Sequence, residues 1–145
     1  MSRKGIHYMN KQRLAIVVAA GIGMLCTFLP WASIPFIGSI NGTRGDGWIT
    51  LLFFAVPLAI GLLTGEKSEE VDGVKLWASM GFALISGIIA IYKIVDFNSK
   101  MSNLSDNPFA KAISSTVSVE WGLYLLALTG IALPALAWFL RGRNN

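Results

Sequence analysis

Charged residues are scarce in this chain. They make up 14% of its 145 residues, whereas apolar residues make up 54%. A soluble domain usually has about 25% charged residues, so this deficit argues against a protein whose whole surface meets water. The length allows a single domain.

Histidine and cysteine are also nearly absent. The chain has one of each: His7 lies in the basic N-terminal tail and Cys26 lies in an apolar run. A lone cysteine cannot form an internal disulfide. A single histidine in a charged tail, with no further ligands or catalytic partners near it, does not indicate a metal centre or a Ser-His pair. HExxH, CxxC, GxSxG and phosphate-loop motifs are missing too. We therefore predict a protein that is not an enzyme, without catalytic residues, metal or cofactor.

Four long runs that carry almost no charge fill most of the chain. A helix rises about 1.5 Å per residue, so about 20 residues cross a hydrocarbon layer roughly 30 Å thick. Core helices of a soluble protein would need a polar face, which these runs lack. The sequence predicts an all-α membrane protein, a four-transmembrane-helix bundle in the single domain 1–145, with spans at 14–31, 48–64, 76–95 and 121–140.

The positively charged residues are unevenly distributed around these spans. Four spans place both termini on one side of the membrane, together with the short loop between the second and third spans. That side carries Arg3, Lys4, Lys11, Arg13, Lys67, Lys75, Arg141 and Arg143, and the opposite side carries Arg44, Lys93, Lys100 and Lys111. The positive-inside rule then predicts a multi-pass protein with cytoplasmic N and C termini. The net charge of +4 is too small and too dispersed for a nucleic-acid-binding surface, so the bilayer is the expected partner.

The first outward loop predicts a small extracytoplasmic β-hairpin cap. Residues 33–37 and 39–43 are two β-leaning segments around Gly38, with a turn signal at Asn41-Gly42. Pro35 is expected to confine its strand to the edge of the sheet, because proline has no amide to donate.

The second outward loop contains two further short elements. Residues 116–119 alternate in polarity and are expected to add a third strand to the hairpin. Residues 108–113 are expected to form a short interfacial helix, with Asp106 or Asn107 at its N-cap.

Small residues predict where the helices touch. Without a hydrophobic gain between helices in lipid, close packing of small side chains drives association. Ala19 and Gly23 in the first span, and Ala83 and Gly87 in the third, have the small-xxx-small spacing. The fourth span offers further small residues that include Ala127 and Gly130.

Seven residues are candidates for an interface or a cavity. Four are uncharged: Trp31 and Trp48 at the outer ends of spans, where indole favours the interface, and Pro57 and Pro134, which bend the second and fourth helices.

The other three candidates are charged. Lys93 and Asp96 are one helical turn apart at the outer end of the third span. One interpretation is a charge pair that lines an outward cavity together with Glu120. The alternative is a lysine that extends to the interface and pairs with a neighbour there.

Three short motifs carry a resemblance to known proteins. They are Leu-Pro-Trp at 29–31, Gly-Asp-Gly-Trp at 45–48 and Gly-Leu-Tyr-Leu at 122–125. With them the chain resembles a loose group of small, largely uncharacterised bacterial four-span membrane proteins, in which these motifs end the first span and open the second and fourth. The resemblance implies the topology and a bacterial cytoplasmic (inner) membrane. The tryptophans of the first loop also resemble the claudin-like arrangement, whose paired cysteines are absent here.

Two classes of function remain open at this stage. The first is an interaction protein, an accessory or envelope-protective subunit with a membrane-protein partner or a second copy of itself. The alternative is an oligomeric pore or small-solute transporter, motivated by the two prolines and by Lys93 and Asp96.

Overall fold

The computed structural model describes residues 8–103 and 107–143. The predictions that involve Arg3, Lys4, His7 and Asp106 fall outside these residues. The described chain is mostly helical, with a small sheet. Its elements are α1 (Lys11–Cys26), β1 (Pro30–Ile34), β2 (Gly38–Asn41), a 3₁₀ turn (Gly42–Arg44), α2 (Gly47–Leu63), α3 (Gly73–Asn103), α4 (Pro108–Ser114), β3 (Ser118–Val119) and α5 (Trp121–Phe139).

Two of the long helices have the length and composition to cross a membrane. They are α3, with 31 residues, and α5, with 19. The other two long helices are shorter, since α2 is an apolar helix of 17 residues and α1 has 16. Each predicted span therefore corresponds to a helix, and two of these helices satisfy the criteria for a membrane span.

The first predicted span, residues 14–31, is not one continuous helix. α1 begins at Lys11 and ends at Cys26, and Pro30 and Trp31 belong to β1. The indole Nε1 of Trp31 donates a hydrogen bond to the carbonyl oxygen of Cys26 over 3.0 Å. This bond satisfies one of the free carbonyls at the helix end, and Pro30 has no amide with which to continue the helix.

The four long helices pack side by side in a ring. α1 contacts α2 and α5, and α3 contacts the same two helices. Consecutive neighbours run antiparallel. Between α2 and α3, Phe53 packs against Phe82 while the earlier Asp46 meets the later Lys93. Trp77, near the start of α3, packs against Trp138, near the end of α5. The beginning of α1 and the end of α5 therefore lie at the same end of the ring as the loop between α2 and α3.

Two glycines let α1 and α2 approach closely. A Cβ at Gly23 would lie 2.5 Å from the ring of Phe54, and a Cβ at Gly61 would lie 2.5 Å from a methyl group of Val17. The predicted small-residue face of α1 at Gly23 is thus confirmed as a helix contact. It receives an aromatic ring, so α2 packs a large side chain into the space left by a small one.

The sheet contains three antiparallel strands in the order β2-β1-β3. Ala32 pairs with Ile40 on one side and with Val119 on the other. The predicted third strand is therefore confirmed.

The expected edge position of Pro35 is wrong, and both strands of the hairpin lie earlier in the chain than the predicted segments 33–37 and 39–43. The turn lies at residues 35–37, and Gly38 opens β2 with φ at +88°. β1 is the central strand, which is possible because Pro35 follows it and withholds no amide from the ladder. Asn41-Gly42 leads from β2 into the 3₁₀ turn.

The short helix predicted at residues 108–113 is present as α4. Asn107 is its N-cap, and its side-chain Oδ1 accepts a hydrogen bond from the amide of Phe109 over 3.1 Å. Of the two expected caps, Asn107 is therefore the one the structure supports.

Candidate functional site

The sheet is fastened to the ends of α1 and α5 by its central strand. The amide of Glu120, just before α5, donates to the carbonyl oxygen of Trp31 over 2.9 Å. The ring of Trp31 lies directly against Gly42, where any side chain would collide with it. A Cβ at Gly122 would meet the carbonyl of Pro30 at 2.5 Å. Because these contacts involve backbone, the sheet has a defined position over this end of the ring.

A cavity lies between the sheet and the extended end of α3. Its volume is about 270 Å³. The sheet contributes Trp31, Ile40 and Val119 to the walls, and α3 contributes Phe97 and Met101. α3 can supply a wall here because it continues past the predicted span end at residue 95 to Asn103. The walls are mainly apolar.

Four charged side chains also line this cavity, in two pairs of opposite sign. Lys93 of α3 forms a hydrogen-bonded ion pair with Asp46, which precedes α2. Lys100 donates to Asp96 over 2.8 Å, one helical turn away on α3. Lys93 and Asp96 therefore both line this cavity, but each pairs with another residue and not with the other. Asp46 reaches Lys93 because the glycine-rich turn at 42–47 places it beside α3.

The ion pairs shift two pKa values in the directions expected for oppositely charged neighbours. The hydrogen bond from Lys93, reinforced by its positive charge, lowers the pKa of Asp46 from its usual value. The hydrogen bond to Asp96, with its negative charge, raises the pKa of Lys100. Asp46 is consequently ionised down to a lower pH than a free aspartate.

The remaining candidate residues lie outside this cavity. Glu120 turns toward β3, where Ser118 Oγ donates to its carboxylate over 3.0 Å. Trp48 is exposed and its indole donates to the carbonyl of Thr43 over 2.9 Å, so it fastens the start of α2 to the turn before it. Pro57 and Pro134 are buried within α2 and α5. Of the seven candidates, the structure brings Trp31, Lys93 and Asp96 together.

A second polar cluster, at the opposite end of the ring, was missed by sequence reasoning. Gln12 is fully buried, with its Nε2 donating to the carbonyl of Ala137 over 3.0 Å and its Oε1 accepting from the amide of Val71 over 2.9 Å. One side chain thus joins α1 to α5 and to the loop before α3.

Arg13 is the centre of this cluster. Its side chain is buried, and its guanidinium donates to the carbonyls of Gly61 and Glu69 over 3.0 Å each, and to that of Thr64. These carbonyls lie at and beyond the end of α2, where a helix has unpaired acceptors and partial negative charge. The sequence shows Arg13 as one more basic residue at a membrane boundary. Its only signal is its position directly before an apolar run.

The polar side chains make ion pairs at the cavity and hydrogen bonds to backbone groups around Gln12 and Arg13. Within residues 8–103 and 107–143, His, Cys, Asp and Glu side chains form no group of three or more that would hold a metal ion. No protein-family model, curated protein or solved structure matches this chain.

Proposed function

We propose that the chain is an integral membrane protein that crosses the bilayer with all four long helices. The observation that supports this is the apolar character of their outward faces. Only 28% of the most apolar window of α3 is buried in the structure. Large apolar side chains are exposed on every long helix, among them Leu14, Val18, Leu25, Leu52, Leu63, Ile88, Val95, Leu128 and Ile131. In water such a surface would drive aggregation, whereas lipid would cover it.

The shorter helix α1 fits this proposal because a further segment follows it at one end and its arginine is kept away from lipid at the other. α1 covers about 24 Å at ~1.5 Å per residue. At one end it is followed by β1, which contains Trp31. At its other end Arg13 is buried and its guanidinium donates to backbone carbonyls, which keeps its charge away from lipid. A locally thinner bilayer accommodates the remaining mismatch at a modest cost.

In the orientation we propose, the termini face the cytoplasm of a bacterial cell and the sheet faces outward. The basic residues around α1 and after α5 favour this orientation. The bacterial inner membrane follows from the resemblance carried by the Leu-Pro-Trp, Gly-Asp-Gly-Trp and Gly-Leu-Tyr-Leu motifs.

Cysteine accessibility in whole cells tests the topology. Cys26 is buried and is replaced by alanine to give a silent background. We expect Ser39→Cys and Asn103→Cys to react with an impermeant thiol reagent, and Lys67→Cys, in the loop between α2 and α3, to react only after lysis. All three positions are exposed. Labelling of Lys67→Cys in intact cells, or protection of both other positions, would refute the orientation.

We further propose that the outward sheet serves as the contact surface of an accessory or envelope-protective subunit. The turn between β1 and β2 presents Phe36, which is fully exposed, and Ile37 beside it. Phe36 has φ at +68°, a left-handed conformation that is strained for a bulky residue. A strained, exposed aromatic side chain on an anchored hairpin is suited to insert into a pocket of a membrane-protein partner.

Cross-linking and purification from native membranes tests this function, with Phe36→Asn as the decisive variant. Asparagine tolerates the left-handed conformation, so this change removes the ring and relieves strain. We expect loss of one stoichiometric partner with unchanged or improved folding. Phe109→Asn, on the exposed face of α4, is the matched control and should retain the partner. Equal recovery of the partner with both variants would exclude the Phe36 turn as its contact.

The alternative, an oligomeric pore or small-solute transporter, would place its path between copies of the chain. Phe54, Leu126 and Leu133 are fully buried among the helices, so the interior of one ring is filled. Solute or ion flux into reconstituted liposomes above that of empty vesicles would favour this alternative over a subunit that acts by contact alone.

A further inference from the structure

The cavity under the sheet has the dimensions of a small ligand site. Pockets for drug-sized ligands occupy roughly 300–1,000 Å³, and this cavity, at about 270 Å³, is slightly smaller. Its apolar walls come from segments that are far apart in sequence, among them β1 with Trp31, α3 with Phe97 and Met101, and the start of α5 with Leu123. A molecule of amino-acid size with an apolar body matches this space.

The charges that line the cavity restrict the ligand further. Two are positive, Lys93 and Lys100, and two are negative, Asp46 and Asp96. A ligand with a single charge would be attracted by the two lysines and repelled by the two aspartates, or the reverse. A zwitterion can place its anionic group near a lysine and its ammonium near an aspartate, which satisfies both signs.

The two ion pairs within the protein do not prevent a zwitterion from pairing with the same side chains. The side chains of Lys100 and Asp46 are 69% and 57% exposed, so water already screens both pairs. Exposed ion pairs contribute little to stability, and replacing them by equivalent contacts to a ligand costs little. In addition, the Lys93–Asp46 pair joins the turn before α2 to α3, so it lies across one side of the cavity.

We propose that this cavity binds a zwitterionic ligand: an apolar body of amino-acid size that carries one ammonium and one anionic group. Two sources have this chemistry, a free apolar amino acid and the headgroup region of an aminophospholipid. The proposal depends on the cavity and its charges, and it holds whether or not the Phe36 turn contacts a partner.

Fluorine NMR of the full-length protein, labelled with 5-fluorotryptophan, tests the proposal. The Trp31 signal is assigned by its loss in Trp31→Phe, and the Trp77 signal, at the opposite end of the ring, is the internal reference. We expect L-phenylalanine or L-leucine to shift the Trp31 signal saturably. Phenethylamine and 3-phenylpropionate, which keep the ring and have one charge each, should bind at least about tenfold more weakly, the effect of losing one ionic hydrogen bond.

Lipid as the source is distinguished in nanodiscs. If an aminophospholipid is the ligand, the Trp31 signal should shift in phosphatidylglycerol discs that contain phosphatidylethanolamine, relative to discs of phosphatidylglycerol alone. Added amino acid should then compete poorly. A shift with free amino acid in both discs identifies the soluble source.

Charge variants complete the test. Lys93→Gln and Asp96→Asn should each weaken binding by about tenfold, because each removes one partner of the zwitterion. Lys111→Gln on α4, outside the cavity, should bind as the unmodified protein does. The proposal is overturned if neither amino acids nor phosphatidylethanolamine shift the Trp31 signal. It is likewise overturned if the singly charged analogues bind equally well, or if the charge variants leave affinity unchanged.

Discussion

A Cβ atom built on Gly130 of α5 would lie 2.5 Å from the Cα of Gly87 in α3. The two helices therefore touch backbone to backbone where they cross. The same Cβ would lie 2.9 Å from the carbonyl oxygen of Ala83, and a Cβ on Gly87 would lie 3.5 Å from that of Ala127. These are the small residues that the sequence predicts as contact faces, and the structure confirms them as one shared interface.

Replacing Gly130 by alanine should separate α3 from α5. The colliding atoms belong to backbone and cannot rotate away, so we expect a loss of about 1–3 kcal/mol in the free energy of unfolding, typical of an overpacked contact. The measurement is unfolding in mixed micelles of increasing denaturing detergent. Gly81→Ala is the matched control, because a Cβ there meets nothing within 4 Å. If both variants unfolded at the same detergent fraction, the close crossing would be wrong.

Arg13 should contribute to stability through the hydrogen bonds that its guanidinium donates to backbone carbonyls. Arg13→Met leaves the carbonyls of Gly61, Thr64 and Glu69 without their shared donor. We expect a loss of about 1.5–3 kcal/mol, the range for hydrogen bonds to a charged group, together with faster amide exchange in residues 64–72. Lys11→Met, at an exposed position two residues earlier, removes the same charge and should have little effect. Similar losses for both variants would mean that charge alone matters.

Two buried threonines should respond in opposite ways to replacement by valine. Thr27 is fully buried, and its Oγ1 has no hydrogen-bond partner among the residues that the structure describes. Thr50 is equally buried, and its Oγ1 donates to the carbonyl of Gly47 over 2.8 Å. We expect Thr27→Val to leave stability unchanged or raise it, and Thr50→Val to cost about 1 kcal/mol. Thermal unfolding in one detergent compares the pair, and destabilisation by Thr27→Val would indicate a partner for its hydroxyl.

The stabilisation by the Lys93–Asp46 ion pair should be lost as the pH falls. Because the pKa of Asp46 is lowered in the folded protein, its stabilising contribution is present above the usual aspartate value of 3.8 and is lost as the pH falls through the lowered pKa. Carboxyl ¹³C NMR measures this titration directly. In Lys93→Met the midpoint of Asp46 should rise toward 3.8, whereas Lys75→Met, on the other end of α3, should leave it unchanged. An unmoved midpoint in Lys93→Met would show that the pair does not form in solution.

The positions of the helices follow closely from local sequence. α2 and α5 lie within one residue of the predicted spans 48–64 and 121–140. Uninterrupted apolar runs bounded by glycine, tryptophan and charge define such helices without reference to the rest of the chain. The predicted first span is longer than α1 because hydropathy does not distinguish an apolar strand from the last turn of a helix, and Pro30 and Trp31 are apolar in either setting.

The candidate site was predictable in some of its residues but not in its pairings. Lys93 and Asp96 are recognisable as charges at the end of an apolar run. The partner of Lys93 is 47 residues away, and nothing in the local pattern singles out Asp46. Such a contact depends on the position of the turn at residues 42–47 relative to α3. The packing of Gly42 against the ring of Trp31 sets that position.

By itself, the sequence determined which segments are apolar helices, which small residues allow those helices to touch, and that a three-stranded sheet connects their ends. These properties depend on hydropathy, side-chain size and turn propensity, which act over a few residues. Only the tertiary structure decided that Arg13 is buried among carbonyls, and that Trp31, Asp46 and Lys93 enclose one cavity. These features arise where segments distant in the chain meet, because a side chain's burial and partners depend on what packs against it.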